Sequence, residues 1–541
     1  MGSSILNIGK SALNAAQVGI SVAGHNIANA STPGYSRQEI VQTAALSQKF
    51  GFGFLGQGTD ISQVKRQYND ILTTQLNSAQ STSSANSAYL NQMSQIDNVL
   101  ADASAGLSPA FQQFFASVQG LSSNPSDIAS RQAVIASAES LVNRFADIGG
   151  RLEELSSGVN AQLTTYTEQV TSYATQISKL NITISKALAA DSTNAPNDLM
   201  DQRDLMISEL NKLVKTDVQP QQDGSYNLMI GNGIPLVIGS RSYGLKTVNS
   251  SVDPSRLEVA YVSNITTELS DKSVTGGAIG GLLQFRKNSL DDVQNQLGQI
   301  ATVFAATFNA QHQLGYDATG TAGTAFFSVP SPQAFGHVNN SVGATLTTSI
   351  TDATALTGSD YRIQYDGANY NITRLSDSTV QTFGSLPQTV DGLSINGTLT
   401  AGDAFTIQPT RNSATALTVL ITDVNKIAAA DVAGGSTNNR NALLLADLQN
   451  SGTLNNNSVS YESAFAKIVS AVGNKTNELT VTAAAAEALL VHTQAAQQSE
   501  SGVNLDEEAA NLLRYQQAYQ AAGKVMQIAN ELFDVLLTIG R

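Results

Sequence analysis

The stretch SILNIGKSALNAAQVGISVAGHNIANA, residues 4–30, sets Leu6, Leu13, Ile20 and Ile27 seven apart, with Gly9, Ala16, Ala23 and Ala30 three places after each. Toward the other end Leu505, Leu512, Tyr519, Met526 and Phe533 repeat the same period. Glu508, Tyr515, Ala522, Ala529 and Leu536 follow them at the same offset. A large residue at one heptad position and a mostly small or apolar one three later is the seam of a coiled coil. These nine large residues are candidate interface positions: one end of the chain zips against the other, against neighbouring copies, or both. Gly9, Gly19 and Gly24 each cost a helix roughly 1 kcal/mol relative to alanine, so the first helix needs a partner surface. The expectation is that both ends are largely disordered in the isolated monomer and fold on assembly.

Working outward, the first helix runs from about Ser4 to Asn29 and stops at Ser31-Thr32-Pro33-Gly34, where proline and glycine supply the turn. Gln38–Gln42 alternates, Gly51–Gly58 is rich in glycine and phenylalanine, and extended structure or a short hairpin is expected there. From Asn69 to Asn211 the pattern is helical. Ser108-Pro109 reads as a helix start, with Phe111, Phe114, Phe115, Val118 and Leu121 on its buried side. Asn124-Pro125-Ser126-Asp127 restarts a long helix whose apolar residues advance by three or four from Val134 to Ile184.

Short strands between turns fill Val218–Val262, helix returns over Gly277–Leu314, and a second β-like stretch spans Phe326–Ile407. Helix resumes after Ser413 and, beyond breaks at 434–439 and 450–458, dominates to Arg541. The fold class is therefore mainly α with β insertions: terminal coiled-coil helices, a long helical bundle or rod, and one or two small all-β domains inserted in the middle. The expected domains are 1–40 with 500–541; 41–214 with 276–318 and 413–499; 215–275; and 319–412, a second β domain or an extension of the first.

Composition narrows the function. A length of 541 residues suggests about three or four domains. The net charge of −14 opposes nucleic acid, whose binding needs cations to release counterions, and anionic membrane surfaces. Cysteine is absent, which removes disulfides, zinc–thiolate sites and thiol nucleophiles together. No run of 18 or more apolar residues marks a transmembrane helix, and Met1–Leu6 has neither the charged nor the apolar region of a cleaved signal peptide.

Candidate chemistry is thin. Gly51-x-Gly53-x-x-Gly56 matches a dinucleotide fingerprint, but Thr59–Val64 after it alternates like a strand where a helix is required, so it reads as a loop. Asp198, Asp201 and Asp204 share a helix face beside Arg203 and read as capping and salt bridges rather than a cation site. His25, His312, His337 and His492 lack metal-ligand spacing and read as packing or surface residues, with an interface role open for His25. No catalytic, cofactor or metal residue is expected.

Asn26-Ile27-Ala28-Asn29-Ala30-Ser31-Thr32-Pro33-Gly34-Tyr35-Ser36-Arg37 resembles the signature that follows the first helix of flagellar rod, hook and hook-associated proteins. Its Thr-Pro-Gly-Tyr-Ser-Arg ending is similar to the hook-associated protein 1 family in particular. Ser501–Leu512, Tyr515–Ala522, Gly51–Gly58, Leu107–Phe111, Pro196–Asp204 and Gly280–Arg286 match as well. The resemblance covers roughly 1–315 and 455–541 and fades over about 320–440. It marks Asn26, Asn29, Thr32, Pro33, Gly34 and Tyr35 as signature residues.

The resemblance implies a structural adaptor, not an enzyme, forming the junction layer between flagellar hook and filament. Its implied partners are copies of itself, neighbouring hook and second hook-associated proteins, and a cytoplasmic export chaperone at the C-terminal region. It implies an extracellular place in the flagellum, reached by type III export without a cleaved signal, and no membrane insertion. Another axial protein of rod or hook type is the alternative, and a secreted enzyme or adhesin on a helical stalk is a remoter one.

Overall fold

Helices α1 (Gly2–Asn29) and α11 (Leu505–Ile539) lie along one another in the computed structural model, which describes residues 2–50, 53–101, 106–434 and 437–539. Gly51 and Phe52 of the glycine-rich loop, two residues of the break at 434–439, and the last two residues fall outside this range. After α1, strands β1 (Gln38–Ala44) and β4 (Thr59–Arg66) pair antiparallel, with a bulge between Val41 and Gln42. Between them β2 (Gln48–Phe50) and β3 (Gly53–Leu55) form a small hairpin, as the alternating pattern predicts.

The rod is built from α2 (Asp70–Leu100), α3 (Leu107–Ser123), α4 (Ile128–Ala190), α5 (Asn197–Leu213), α6 (Gly277–Phe285), α7 (Asp291–Gln313) and α10 (Tyr461–Ser501). Its spine is α4, whose 63 residues extend about 95 Å at the helical rise. Asp127 caps its first turn by accepting from the Ser130 amide. Asn69 does the same for the amides of Ile71 and Leu72 in α2. A single turn of wider π geometry, Arg286–Leu290, joins α6 to α7.

The helices converge on an aromatic core. Phe111, Phe114 and Phe115 of α3 meet Phe304 and Phe308 of α7, Phe326 and Phe327 beyond it, and Tyr461 at the start of α10, all fully buried. Phe111 stands edge-on to Phe304 at 5.3 Å and stacks on Tyr461 at 5.6 Å. Each such ring contributes about 1.5–3 kcal/mol from burial, so this knot ties together segments more than 300 residues apart. Val118 and Leu121 complete the predicted buried face.

Two helix expectations are corrected. Helix α3 begins at Leu107 after Gly106, so Ser108 sits inside the first turn and is not the cap. Proline is tolerated there because first-turn amides have no intrahelical acceptor. After Ser413 only one α-helical turn forms, α8 (Ser413–Ala416), and among the described residues from 417 up to α9 (Arg440–Asp447) the helix is limited to one 3₁₀ turn, Val424–Lys426. The β-branched run Thr418, Val419, Ile421, Thr422 and Val424 is a poor helix former. Buried side chains answer its backbone instead. Arg131 donates to the carbonyls of Val424 and Ile427, and Asn441 donates to that of Ala428.

The segment 215–275 carries a four-stranded sheet, β5 (Thr216–Pro220), β6 (Tyr226–Ile230), β7 (Ile234–Ile238) and β8 (Arg241–Ser242). A three-stranded sheet follows, of β9 (Gly244–Asn249), β10 (Leu257–Val262) and β11 (Thr266–Glu268). Both lie on α4, where Asn181 donates to the carbonyls of Tyr226 and Gly239, each at 2.8 Å, and Thr171 bonds both backbone groups of Leu245.

The later segment forms two sheets over a core of Ile363, Ile372, Leu393, Ile395 and Ile407. One is five-stranded, in spatial order β12 (Gln333–Gly336), β19 (Ala404–Gln408), β14 (Tyr361–Tyr365), β15 (Tyr370–Arg374) and β16 (Val380–Phe383). The other is three-stranded: β13 (Thr345–Ile350), β18 (Leu393–Thr398) and β17 (Gln388–Val390). Arg411 fastens this region to the rod, pairing with Asp360 and lying 3.6 Å from Asp253 and 3.5 Å from Asp291 of α7.

His312 is buried at the end of α7, donating from Nδ1 to the Thr324 carbonyl at 2.7 Å and accepting the Ala428 amide on Nε2 at 2.9 Å. Burial holds its pKa down at about 4, against 6.5 when free. A group ionising later in the fold than in the unfolded chain adds stability above pH 6.5 and loses that contribution as pH falls toward 4. Urea unfolding of wild type and His312→Gln at pH 7.5 and pH 4 measures this: the wild-type advantage shrinks by about 3 kcal/mol.

Candidate assembly interface

The seam between α1 and α11 runs along the small residues. On α1 the buried positions include Gly9, Ala15, Ala16, Gly19, Ala23 and Asn26, and on α11 Glu508, Ala522 and Ala529. Close approach explains the small stripe. A methyl added at Gly19 would stand 2.6 Å from the Tyr515 ring, and one at Gly9 would stand 3.0 Å from Met526 Cγ. Gly24 faces open space and has no such reason within one chain.

The large heptad residues flank this seam. Leu6, Leu13, Ile20 and Ile27 are half-buried, as are Leu512 and Met526. On α11, Leu505 is 54% exposed, Tyr519 40% and Phe533 55%. The side chain of Leu536 lies outside the described residues. A pair of helices has no third wall, so large side chains beside the seam stay in water unless another surface covers them. Leu513, Val525, Ile528, Leu532 and Val535 add to this outward face, a concentration of apolar surface typical of an interaction site.

The signature residues form a polar clasp at the foot of the pair. Asn26 is fully buried and uses its whole bonding capacity. Its Oδ1 accepts from the Tyr35 hydroxyl at 2.7 Å and the Gln38 amide at 2.9 Å. Its Nδ2 donates to the Gln38 carbonyl at 2.8 Å and to Glu508 Oε2 at 3.1 Å. Arg37 closes on the same carboxylate, Nε to Glu508 Oε1 at 2.7 Å, and reaches Glu507 at 2.8 Å. Its amide donates to the Ser501 carbonyl at the α10–α11 elbow.

Local rules hold the clasp in shape. Asn29 donates to the His25 carbonyl at 3.0 Å, and the Thr32 hydroxyl donates to Asn29 Oδ1 at 3.1 Å, closing the last turn of α1. Pro33, without an N–H, ends it. Gly34 has φ +77°, and a methyl there would also stand 2.9 Å from Leu205 Cβ. Conformation and space both require glycine at this position.

The clasp grips the rod through α5. The Ser36 amide donates to Asp201 at 3.0 Å, Gln38 Nε2 donates to Asp198 at 2.8 Å, and Arg66 Nη1 donates to Asp201 at 2.8 Å and Asp204 at 2.7 Å. Burial works against the Arg66 charge, but these carboxylates outweigh it and raise its pKa. Burial first, then Asp198, Asp201 and Glu508, push the Tyr35 hydroxyl well above its usual range, so it stays a donor.

Two of the three aspartates, Asp201 and Asp204, therefore make ion pairs, with Arg66 and not with their neighbour Arg203, while Asp198 accepts from Gln38. The Arg203 guanidinium is buried on the Tyr226 ring, 3.4 Å from its centroid, and donates to Asn181 and the Gly224 carbonyl. His25 rests 3.4 Å from Asp198. The glycine-rich loop leads from β3 into strand β4, so no helix terminus meets it. Among the described residues no group of three or more His, Asp or Glu is placed to hold a metal ion.

Sequence reasoning missed Gln38, Arg66, Asp201 and Glu508 as one unit. The available signal was Glu508: an acid at a seam position otherwise small or apolar demands a buried partner. Asn26→Ala takes one of that carboxylate's two partners and strands the Gln38 amide and carbonyl, and is expected to cost about 2–4 kcal/mol, read as faster amide exchange over α1. Gly19→Ala weakens the pair, whereas Gly24→Ala strengthens α1 by about 1 kcal/mol, read as opposite changes in helix melting.

Comparison with known proteins gives the clasp and the rod a context. Residues 93–327 match the model of the flagellar hook-associated protein FlgK helical domain, and 335–409 that of a flagellar hook-associated protein 1 D2-like domain. Residues 6–35 match the flagella basal body rod protein model and 496–539 the flagellar basal body rod FlgEFG protein C-terminal model. Flagellar hook-associated protein 1 of Salmonella typhimurium is 42% identical, covering 99% of this chain and all of its own. That of Escherichia coli K12 is 40% identical over 99% of this chain. The flagellar hook junction protein FlgK from Burkholderia pseudomallei superposes with a TM-score of 0.74 at 30% identity, covering 79% of this chain and 100% of its own. The protein belongs to the flagellar hook-associated protein 1 family, structural proteins of the flagellar hook–filament junction.

Proposed function

We propose that this protein forms the junction layer between flagellar hook and filament, assembling through its paired terminal helices and carrying out no catalysis. The observation that supports it most is the outward apolar stripe on α11. A two-helix pair cannot bury Leu505, Tyr519 and Phe533, and their burial by neighbours is worth about 1.5–3 kcal/mol each. In this reading the helix pairs line the inner core of a tube, the rod forms the next shell, and the two β segments lie outside.

Its neighbours are then further copies, hook protein on one side and the second hook-associated protein on the other. A cytoplasmic chaperone shields the C-terminal stripe before export, since an exposed apolar helix otherwise aggregates. The protein leaves the cell without a cleaved signal peptide and works in the extracellular part of the flagellum. Among the described residues no helix is long and apolar enough to cross a membrane. A rod-type or hook-type axial role shares the terminal matches, but the match of residues 93–327 to the hook-associated helical domain supports the junction reading.

Cells lacking the protein are expected to show hooks without filaments under electron microscopy. The full chain restores filaments, and a chain lacking 1–40 and 500–541 does not. Restoration by the truncated chain overturns the reading. Tyr519→Asp with Phe533→Asp gives a finer measurement, because both sites are exposed in the protomer: its circular dichroism stays unchanged while filament number falls at least tenfold.

A further inference from the structure

The β2–β3 hairpin, between β1 and β4, carries uncovered apolar side chains at Leu46, Phe54 and Leu55. Its neck is closed by the Ala45 amide donating to the Gly58 carbonyl at 3.0 Å. It is seated on α1, where the Thr59 amide donates to Ser11 Oγ at 3.3 Å. Gly9, two residues from Ser11, meets Val525 and Met526 of α11, so hairpin and C-terminal half of α11 belong to one end of the molecule. Yet Leu46 remains 94% exposed and Phe54 72%. Two strands of three residues each are marginal alone in water.

Two surfaces at this end fit each other. Lys49 lies directly opposite Phe54 in the strand register, so cation and phenyl share one face of the hairpin. On α11, Val525, Ile528, Leu532 and Val535 are exposed at three- and four-residue spacing, one continuous stripe. Glu531 and Asp534 are exposed alongside it. The ion pairs among the described residues leave out Lys49, Glu531 and Asp534. Within one chain the two surfaces stay apart and uncovered.

We propose that strands β2 and β3 dock on α11 of a second copy, Phe54 entering the Ile528–Leu532–Val535 stripe and Lys49 facing Glu531 and Asp534. This rests on the reading of the protein as a self-assembling flagellar component, and it assigns one contact of that assembly. Because hairpin and stripe are different patches, the contact is head-to-tail and propagates from copy to copy, as a ring or tube requires.

The absence of cysteine makes the test clean. Two differently tagged full-length chains, one Phe54→Cys and one Ile528→Cys, are produced together in cells lacking the native protein, and their flagella are isolated and oxidised. The expected result is a disulfide dimer carrying both tags, lost when Phe54→Cys is replaced by the equally exposed Val338→Cys. Flagella that contain both chains but no such dimer, or an equal yield from the Val338 control, overturn the docking while the assembly reading stands. Without cysteines, Lys49→Glu is expected to cut the fraction of hooks bearing filaments several-fold, and Glu531→Lys with Asp534→Lys to restore at least half of it. No rescue also overturns the contact. A wild-type chain that leaves the hooks bare overturns the assembly reading and the docking with it.

Discussion

The carboxylate of Glu508, buried between Asn26 and Arg37, is the contact on which the terminal half of this molecule depends. A helix pair that buries mostly alanine and glycine gains little from the hydrophobic effect, because little area leaves the water. Its relative setting must come from directional bonds. The clasp supplies them: charge-assisted hydrogen bonds of 2.7–3.1 Å join α1, the linker to β1 and the first turn of α11. Through Ser36, Gln38 and Arg66 the same network reaches three aspartates of α5. A buried acid without its partners is strongly destabilising, so the clasp forms complete or not at all.

The remainder of the protein follows a different economy. The aromatic knot around Phe111, Phe304 and Tyr461 is dry and large, and it can hold the rod without help from neighbours. The β segments continue this apolar core through residues such as Leu228, Leu245 and Ile407, and polar side chains pin them further: Asn181 and Thr171 on one side, and the Arg411 cluster with Asp253, Asp291 and Asp360 on the other. Polar attachments resist sliding because each bond has a direction, and they suit a region whose orientation on the rod matters.

This division matches what a hook–filament junction asks of its subunits. The rod closes its core within one chain, while the terminal pair leaves an apolar face uncovered. The exposed stripe on α11 and the exposed apolar side chains of the β2–β3 hairpin are unfavourable features of a lone protomer. Membership of the hook-associated protein 1 family gives both features their context, and the polar clasp fixes the angle at which they are presented.

Much of this was legible from the residues. The heptads at both ends, the stop at Pro33-Gly34, the long α4 and the turn-punctuated strands are local patterns with local causes, and the signature from Asn26 to Arg37 pointed to the family. Tertiary structure decided the rest. Which heptad stripe becomes the seam depends on how closely two backbones approach, and Gly9 and Gly19 let α11 come close while Leu505, Tyr519 and Phe533 stay exposed. The segment after Ser413 is irregular because Arg131, Asn441 and His312, distant in sequence, satisfy its backbone. Arg66, not the adjacent Arg203, pairs with Asp201 and Asp204 for the same reason. Periodicity and capping act over a few residues and can be read along the chain, whereas the partner of a buried charge is set by what the fold brings within 3 Å, and no spacing in the sequence records that.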